Sequence, residues 1–212
     1  MKSNTTTRDH RALLLVDLQN DFVQGGALEV PGGLEVIEVA NTLIPKFSWV
    51  VATQDWHPAD HQSFASQHAG LAIGDQFLLE GIPQVAWPDH CIEHTHGAEF
   101  VSALDQDRID HVVRKGTQRL IDSYSAFYDN GHQHSTGLAD DLRRHGIEHV
   151  IAMGLATDYC VRATVLDAIS EGFRVTLVVD GCRGVEMQPG DSERALAEMR
   201  DAGAEMVRSG EL

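Results

Sequence analysis

The residue best placed to act as a nucleophile lies where an apolar strand, His149 to Leu155, turns through Ala156 and Thr157 into a helix beginning near Asp158. Cys160 falls in the first turn of that helix. Unpaired backbone N–H groups and the positive end of the helix dipole there favour thiolate over thiol. A nucleophilic thiol also needs a base, and donors for the oxyanion it creates. Asp17 follows the run Ala12-Leu13-Leu14-Leu15-Val16, and Lys115 follows His111-Val112-Val113-Arg114. Lys115 is one of three lysines against thirteen arginines, and a cation at that strand end would lower the Cys160 pKa. Each residue taken singly also has a plain reading: a buried structural cysteine, a turn-capping aspartate, a surface lysine.

A second group has the donors of a metal site. Six of the twelve histidines fall between His57 and His96, and Asp55-Trp56-His57 places a carboxylate and an imidazole two residues apart. In an extended segment such a pair can chelate one ion. His90, in Trp87-Pro88-Asp89-His90-Cys91, supplies a third donor, with His61 available as a fourth. Two imidazoles, a carboxylate and open positions suit zinc, iron or manganese. Phe22 and Trp87 stand beside these residues in loops and could wall a flat aromatic ligand, or simply pack in the core.

The elements that must position these residues alternate. Continuous apolar runs at 12–16, 49–53, 111–116, 149–155 and 174–179 read as buried parallel strands, with a sixth at 204–207. Helical spacing recurs from Leu34 to Phe47, with Pro45 ending or distorting the last turn. It recurs around Leu138 and Leu142 up to Gly146, from Asp158 to Glu171, and from Asp191 to Ala202, with Asp191 or Ser192 as N-cap. Trp56 to about Asp110 has weak periodicity, rich in Gly, Pro and His, and reads as a site-building excursion. Thr117 to Ser135 forms a second loop. This rhythm predicts an α/β fold with a largely parallel six-stranded sheet, doubly wound, with helices on both faces. In such sheets ligands bind beyond the carboxyl ends of the strands, where Asp17, Asp55, Lys115 and Cys160 all fall.

The 212 residues fit one domain spanning 12–212 after a flexible tail at 1–11. A formal net charge of −16, from 32 acidic and 16 basic residues, repels polyanions and argues against nucleic acid as a partner. A small neutral or cationic molecule fits better. Three cysteines, Cys91, Cys160 and Cys182, with no C-x-x-C pair, suit a reducing cytoplasm rather than a disulfide framework. No apolar run approaches the ~18 residues of a membrane span. No Walker A or G-x-G-x-x-G motif is present.

Several ordered blocks carry a family resemblance. They are Ala12 to Phe22, Thr53-Gln54-Asp55-Trp56-His57-Pro58, Trp87-Pro88-Asp89-His90-Cys91, Lys115-Gly116, Asp122-Ser123-Tyr124-Ser125-Ala126-Phe127, Gly154 to Val161, and Val179-Asp180-Gly181-Cys182-Arg183-Gly184. Together they resemble the nicotinamidase and pyrazinamidase branch of the isochorismatase-like cysteine hydrolases, over nearly all of residues 11–208. The resemblance implies a Rossmann-like three-layer sandwich and a triad of Asp17, Lys115 and Cys160. It implies metal ligands Asp55, His57 and His90 for one divalent ion, zinc first among the candidates. A ring-stacking pair, Phe22 and Trp87, is implied too, as is a cis peptide before Ala156, whose N–H forms an oxyanion hole with that of Cys160. The implied reaction is conversion of nicotinamide to nicotinate and ammonia, with pyrazinamide as a further substrate, in NAD salvage. Relatives differ over His61 and Ser63, which stay unassigned. The isochorismatase branch lacks the cysteine; the carbamoyl amidases keep it, and the aromatic pair with the metal motif separates this chain from them.

Overall fold

A computed structural model describes residues 10–212. The expected tail lies almost wholly outside the described residues, and Arg11 is already the first residue of a strand. Six parallel strands form the main sheet: β1 (Arg11–Val16), β2 (Val50–Asp55), β5 (His111–Lys115), β6 (His149–Leu155), β7 (Arg174–Arg183) and β8 (Glu205–Val207). Their order is β5-β2-β1-β6-β7-β8. The chain therefore winds outward from β1 to β5, returns to β1's other side, and winds outward again to β8. Between β1 and β6 lies the topological switch point, where this class of sheet opens a crevice.

Helices α1 (Gly33–Leu43), α2 (Leu138–Arg144), α3 (Arg162–Ser170) and α4 (Asp191–Asp201) cover the two faces. Right-handed crossovers put α1 on the face opposite α3. In β1, Ala12 to Val16 are all buried, as expected of a central strand covered on both sides. Val36, Ile37, Ala40 and Leu43 are the buried stripe of α1, but Leu34 is exposed. Pro45 ends α1 as expected, in a short 3-10 turn at Ile44–Lys46.

Other expectations need correction. The excursion from Trp56 to Asp110 is not wholly irregular: it carries an antiparallel hairpin, β3 (Gln76–Leu79) with β4 (Ile82–Val85). Its alternation is masked because the pair stands apart from the main sheet and buries little. β7 runs on through Asp180-Gly181 to Arg183, shifted in register against β6 between Ala152 and Gly154. The helix expected from Asp158 opens as a wide π turn, Thr157–Val161, before α3. Gly190, not Asp191 or Ser192, is the N-cap of α4. Its left-handed φ of 84° makes the turn that a side-chain cap would otherwise anchor. Among the described residues no helix is long and apolar enough to cross a membrane.

Candidate active site

Asp17, Asp55, Lys115 and Cys160 do converge at the carboxyl ends of β1, β2, β5 and β6. Register pairs Asp55 with Lys115 and Val16 with Gly154. Gly154 is required at that crossing: a Cβ there would lie 2.2 Å from the Val16 carbonyl oxygen. Asp17 leaves β1 with φ 51°, a left-handed conformation that aspartate tolerates better than most residues. Its N–H donates to Thr53 Oγ1 at 3.0 Å, and Thr53 Oγ1 donates back to Asp17 Oδ1 at 2.5 Å.

Lys115 is the hub. Its Nζ donates to Asp55 Oδ1 at 2.5 Å, Ser123 O at 3.0 Å and Cys160 Sγ at 3.4 Å. Those three bonds use its three protons. It also lies 2.8 Å from Asp17 Oδ2, an ion pair without hydrogen-bond alignment. The side chain is fully buried, so the reading of Lys115 as a surface lysine does not hold. Burial disfavours its charge, but Asp17, Asp55 and Cys160 outweigh burial and hold the lysine pKa well above normal.

One cation shared between two carboxylates leaves them unequal. Burial raises Asp17 to about 6, against the pull of Lys115 and with a push from Asp55. Burial acts on Asp55 too, but Lys115 and the imidazoles of His57 and His90 overcome it and hold Asp55 well below the carboxylate range. Cys160 departs from expectation. Burial pushes its thiol well above normal; Lys115 lowers it, while Asp17 and Asp55 raise it further. The helix start and the lysine do not offset burial, and the lysine's charge is shared with two carboxylates. Burial thus favours the protonated thiol, with an Asp17 carboxylate oxygen within 4.8 Å of its sulfur.

The second group assembles as well. One donor atom each from Asp55, His57 and His90 lies within 4.8 Å of the others, and all three residues are buried. Asp55 Oδ2 is 3.8 Å from both His57 Nε2 and His90 Nε2. The remaining ring nitrogens are engaged: His57 Nδ1 at 2.8 Å from Gly116 O, and His90 Nδ1 at 2.8 Å from Pro88 O. Carbonyl oxygens only accept, so each Nδ1 carries a proton and each Nε2, facing Asp55 Oδ2, is the atom available to a metal, the arrangement of metal-ligating histidines. Gly116 permits this, since a Cβ there would sit 2.4 Å from His57 Cε1. His61 stands apart from this set. It groups with His57 and Asp122, its Nδ1 is 2.7 Å from Ser63 Oγ, and burial lowers its pKa to about 4.

A cavity beside the two groups is lined by Phe22, Trp87, Tyr124, Tyr159, Asp55, His90, Ala156 and Cys160 among others. Trp87 meets Tyr159 edge-on, with centroids 4.8 Å apart, and its Nε1 donates to the Tyr124 hydroxyl at 3.0 Å. Leu155–Ala156 is a cis peptide. The cavity is thus lined by the thiol, by Asp55 and His90 of the buried N/O donor cluster, and by aromatic walls.

The sequence profile of the Isochorismatase domain family matches residues 11–211. The chain belongs to that family. Among similar proteins, the nicotinamidase of Escherichia coli is 54% identical over 198 residues, covering 92% of each chain. A nicotinamidase/pyrazinamidase structure from Acinetobacter baumanii superposes with a TM-score of 0.93 at 40% identity, covering 95% of this chain and 97% of that one. A pyrazinamidase of Pyrococcus horikoshii, solved in complex with zinc, gives 0.77 at 40% identity, covering 94% and 99%.

Within this isochorismatase-family site, some residues carry no signal in the sequence that marks a role. Thr53 faces the same way as Asp55, two residues on along β2, and that period is the only hint. Ser123 contributes only its carbonyl. Gln19 holds Asp55 from behind: its Oε1 accepts Asp55 N–H and its Nε2 donates to Asp55 O, both at 2.8 Å.

Proposed function

We propose that this chain, as one hydrolase domain over residues 12–212, hydrolyses nicotinamide to nicotinate and ammonia, and pyrazinamide to pyrazinoate, in NAD salvage. The observation that carries the reading is the buried Cys160 thiol, which accepts a hydrogen bond from Lys115, lies beside Asp17 and lines an aromatic-walled cavity.

The substrate carboxamide carbon is attacked by Cys160 Sγ as Asp17 takes the thiol proton. A thiol that is protonated at rest makes this base essential. Asp17, raised to about 6, is ionised at neutral pH yet basic enough to receive a proton. The oxyanion is received by the backbone N–H groups of Ala156 and Cys160, each worth about 3 kcal/mol of barrier. Asp17 returns its proton to the departing ammonia, leaving an acyl group on Sγ as a thioester. Water then attacks that carbonyl with Asp17 again as base, releasing the acid and restoring the thiol. Lys115 holds Asp55 anionic and keeps Asp17 in register as Asp17 gains and gives up the proton.

Asp55 Oδ2, His57 Nε2 and His90 Nε2 would hold one divalent ion. Asp55 would offer Oδ2, because Lys115 occupies Oδ1. Zinc suits this donor set, with iron and manganese as alternatives. When bound, the ion supplies a Lewis-acid contact for the pyridine nitrogen. Phe22 and Trp87 then stack against the ring, directing the carboxamide to Cys160.

The test is ammonia release from nicotinamide, with the acid product identified by chromatography and the bound metal by elemental analysis. Stoichiometric ammonia and nicotinate are expected. Metal-loaded, folded protein that binds nicotinamide without turnover would overturn the reading.

A further inference from the structure

Gln84 belongs to the β3–β4 hairpin, outside the main sheet and away from the reacting atoms. Its side chain is nevertheless buried and links the hairpin to the loop after β5. Gln84 Nε2 donates to Asp122 Oδ2 at 2.9 Å and to the Tyr124 hydroxyl at 3.1 Å, with the Val85 carbonyl oxygen at 3.0 Å. Gln84 Oε1 lies 3.4 Å from Asn130 Nδ2. The amide has one workable orientation. Turned over, it would set Oε1 against the Asp122 carboxylate, acceptor facing acceptor.

The Tyr124 hydroxyl receives a second donor. Trp87 Nε1 reaches it at 3.0 Å, and an indole N–H can only donate. Asn130 ties the same loop from below, accepting the Tyr124 N–H at 2.9 Å and donating its own N–H to Asp122 O at 2.7 Å. Both rings joined at that hydroxyl, Trp87 and Tyr124, line the cavity, whereas Gln84 does not. A buried network of this kind is rigid only while every member is satisfied.

We infer that Gln84 is a positioning residue for substrate recognition, fixing the Tyr124 hydroxyl and, through it, the Trp87 ring that walls the cavity. The inference rests on the amidase reading for its kinetic readout. The wall contacts the substrate ring equally before and during reaction, so its loosening raises KM and leaves kcat nearly unchanged.

The experiment compares wild type, Gln84→Met, Tyr124→Phe and the double variant by steady-state ammonia release from nicotinamide. Calorimetric titration with nicotinate and thermal unfolding are run on each. Gln84→Met keeps the side chain's length and loses its donors. Its KM and its Kd for nicotinate should rise about tenfold, the effect of one lost hydrogen bond, with kcat held within about twofold. In the Tyr124→Phe background the same change should add no more than about twofold, because the shared partner is already gone. Should Gln84→Met fail to fold, Gln84→Glu, which keeps the shape and sets two carboxylates together, is expected to raise Kd likewise. A folded Gln84→Met with unchanged KM and Kd, or full additivity with Tyr124→Phe, would overturn the inference. Absence of ammonia from wild type would instead sink the amidase reading, and the nicotinate titrations would still test Gln84.

Discussion

The reacting and recognising ends of the proposed site are built in opposite ways. At the reacting end, Asp17, Lys115 and Cys160 stand at or just beyond the ends of parallel strands of one sheet, so sheet register sets their spacing. At the recognising end, His57, Trp87, His90 and Tyr124 ride on loops outside the main sheet. They are oriented by bonds to carbonyls and to one another. A lysine with all three protons committed leaves the first end little freedom. The second end depends on a chain of single hydrogen bonds. In the proposed reaction, chemistry falls where the backbone is stiff, and selectivity where it can be adjusted.

Variants at the reacting end should give the largest effects. Cys160→Ala should lower ammonia release by on the order of 10⁴-fold or more while circular dichroism and metal content stay as in wild type. Turnover near the wild-type rate would remove the covalent route. Asp17→Asn should cost about 10²–10⁴-fold in kcat, the range for a lost general base. The pH profile gives the sign: Asp17 works as a carboxylate with a pKa raised to about 6. kcat/KM should therefore be level above that pH and fall about tenfold per unit below it. Asp17→Asn should lack this acid limb, and a limb that survives the substitution would assign the titration elsewhere.

Lys115→Met tests the hub through stability rather than rate. It leaves Asp17 and Asp55 buried without their cation, and breaking a buried pair this way costs about 3–5 kcal/mol in urea titration. A loss below about 1 kcal/mol, the range of an exposed pair, would show that the network relaxes easily. The smallest effect belongs to the recognising end. Chelation of the metal should raise KM for nicotinamide by about tenfold, roughly one contact of 1.4 kcal/mol, and change kcat less. A fall in kcat with KM unchanged would move the ion from recognition into the chemical step.

Much of this arrangement can be read from the chain alone, for a local reason. Buried parallel strands are continuous apolar runs, and a charged residue ending such a run is conspicuous. Asp17, Asp55 and Lys115 stand out in that way, and Cys160 stands out at the turn into α3. Elements with less apolar content are harder to read. The β3–β4 hairpin buries little, and Leu34 has helical spacing without facing the core. The cap of α4 depends on the backbone angle of Gly190, which side-chain chemistry does not reveal.

What the sequence determined by itself is the set of groups and their order along alternating strands and helices. Only the tertiary structure decided their protonation and partners. Whether Cys160 rests as thiol or thiolate depends on how completely it is buried and how many carboxylates share one lysine. Neither quantity exists before β1, β2, β5 and β6 lie side by side. The link from Gln84 to Tyr124 and on to Trp87 joins residues up to 40 positions apart. A glutamine in a short hairpin gives no local sign of such a link, because hydrogen-bond partners follow from distance in space rather than distance along the chain.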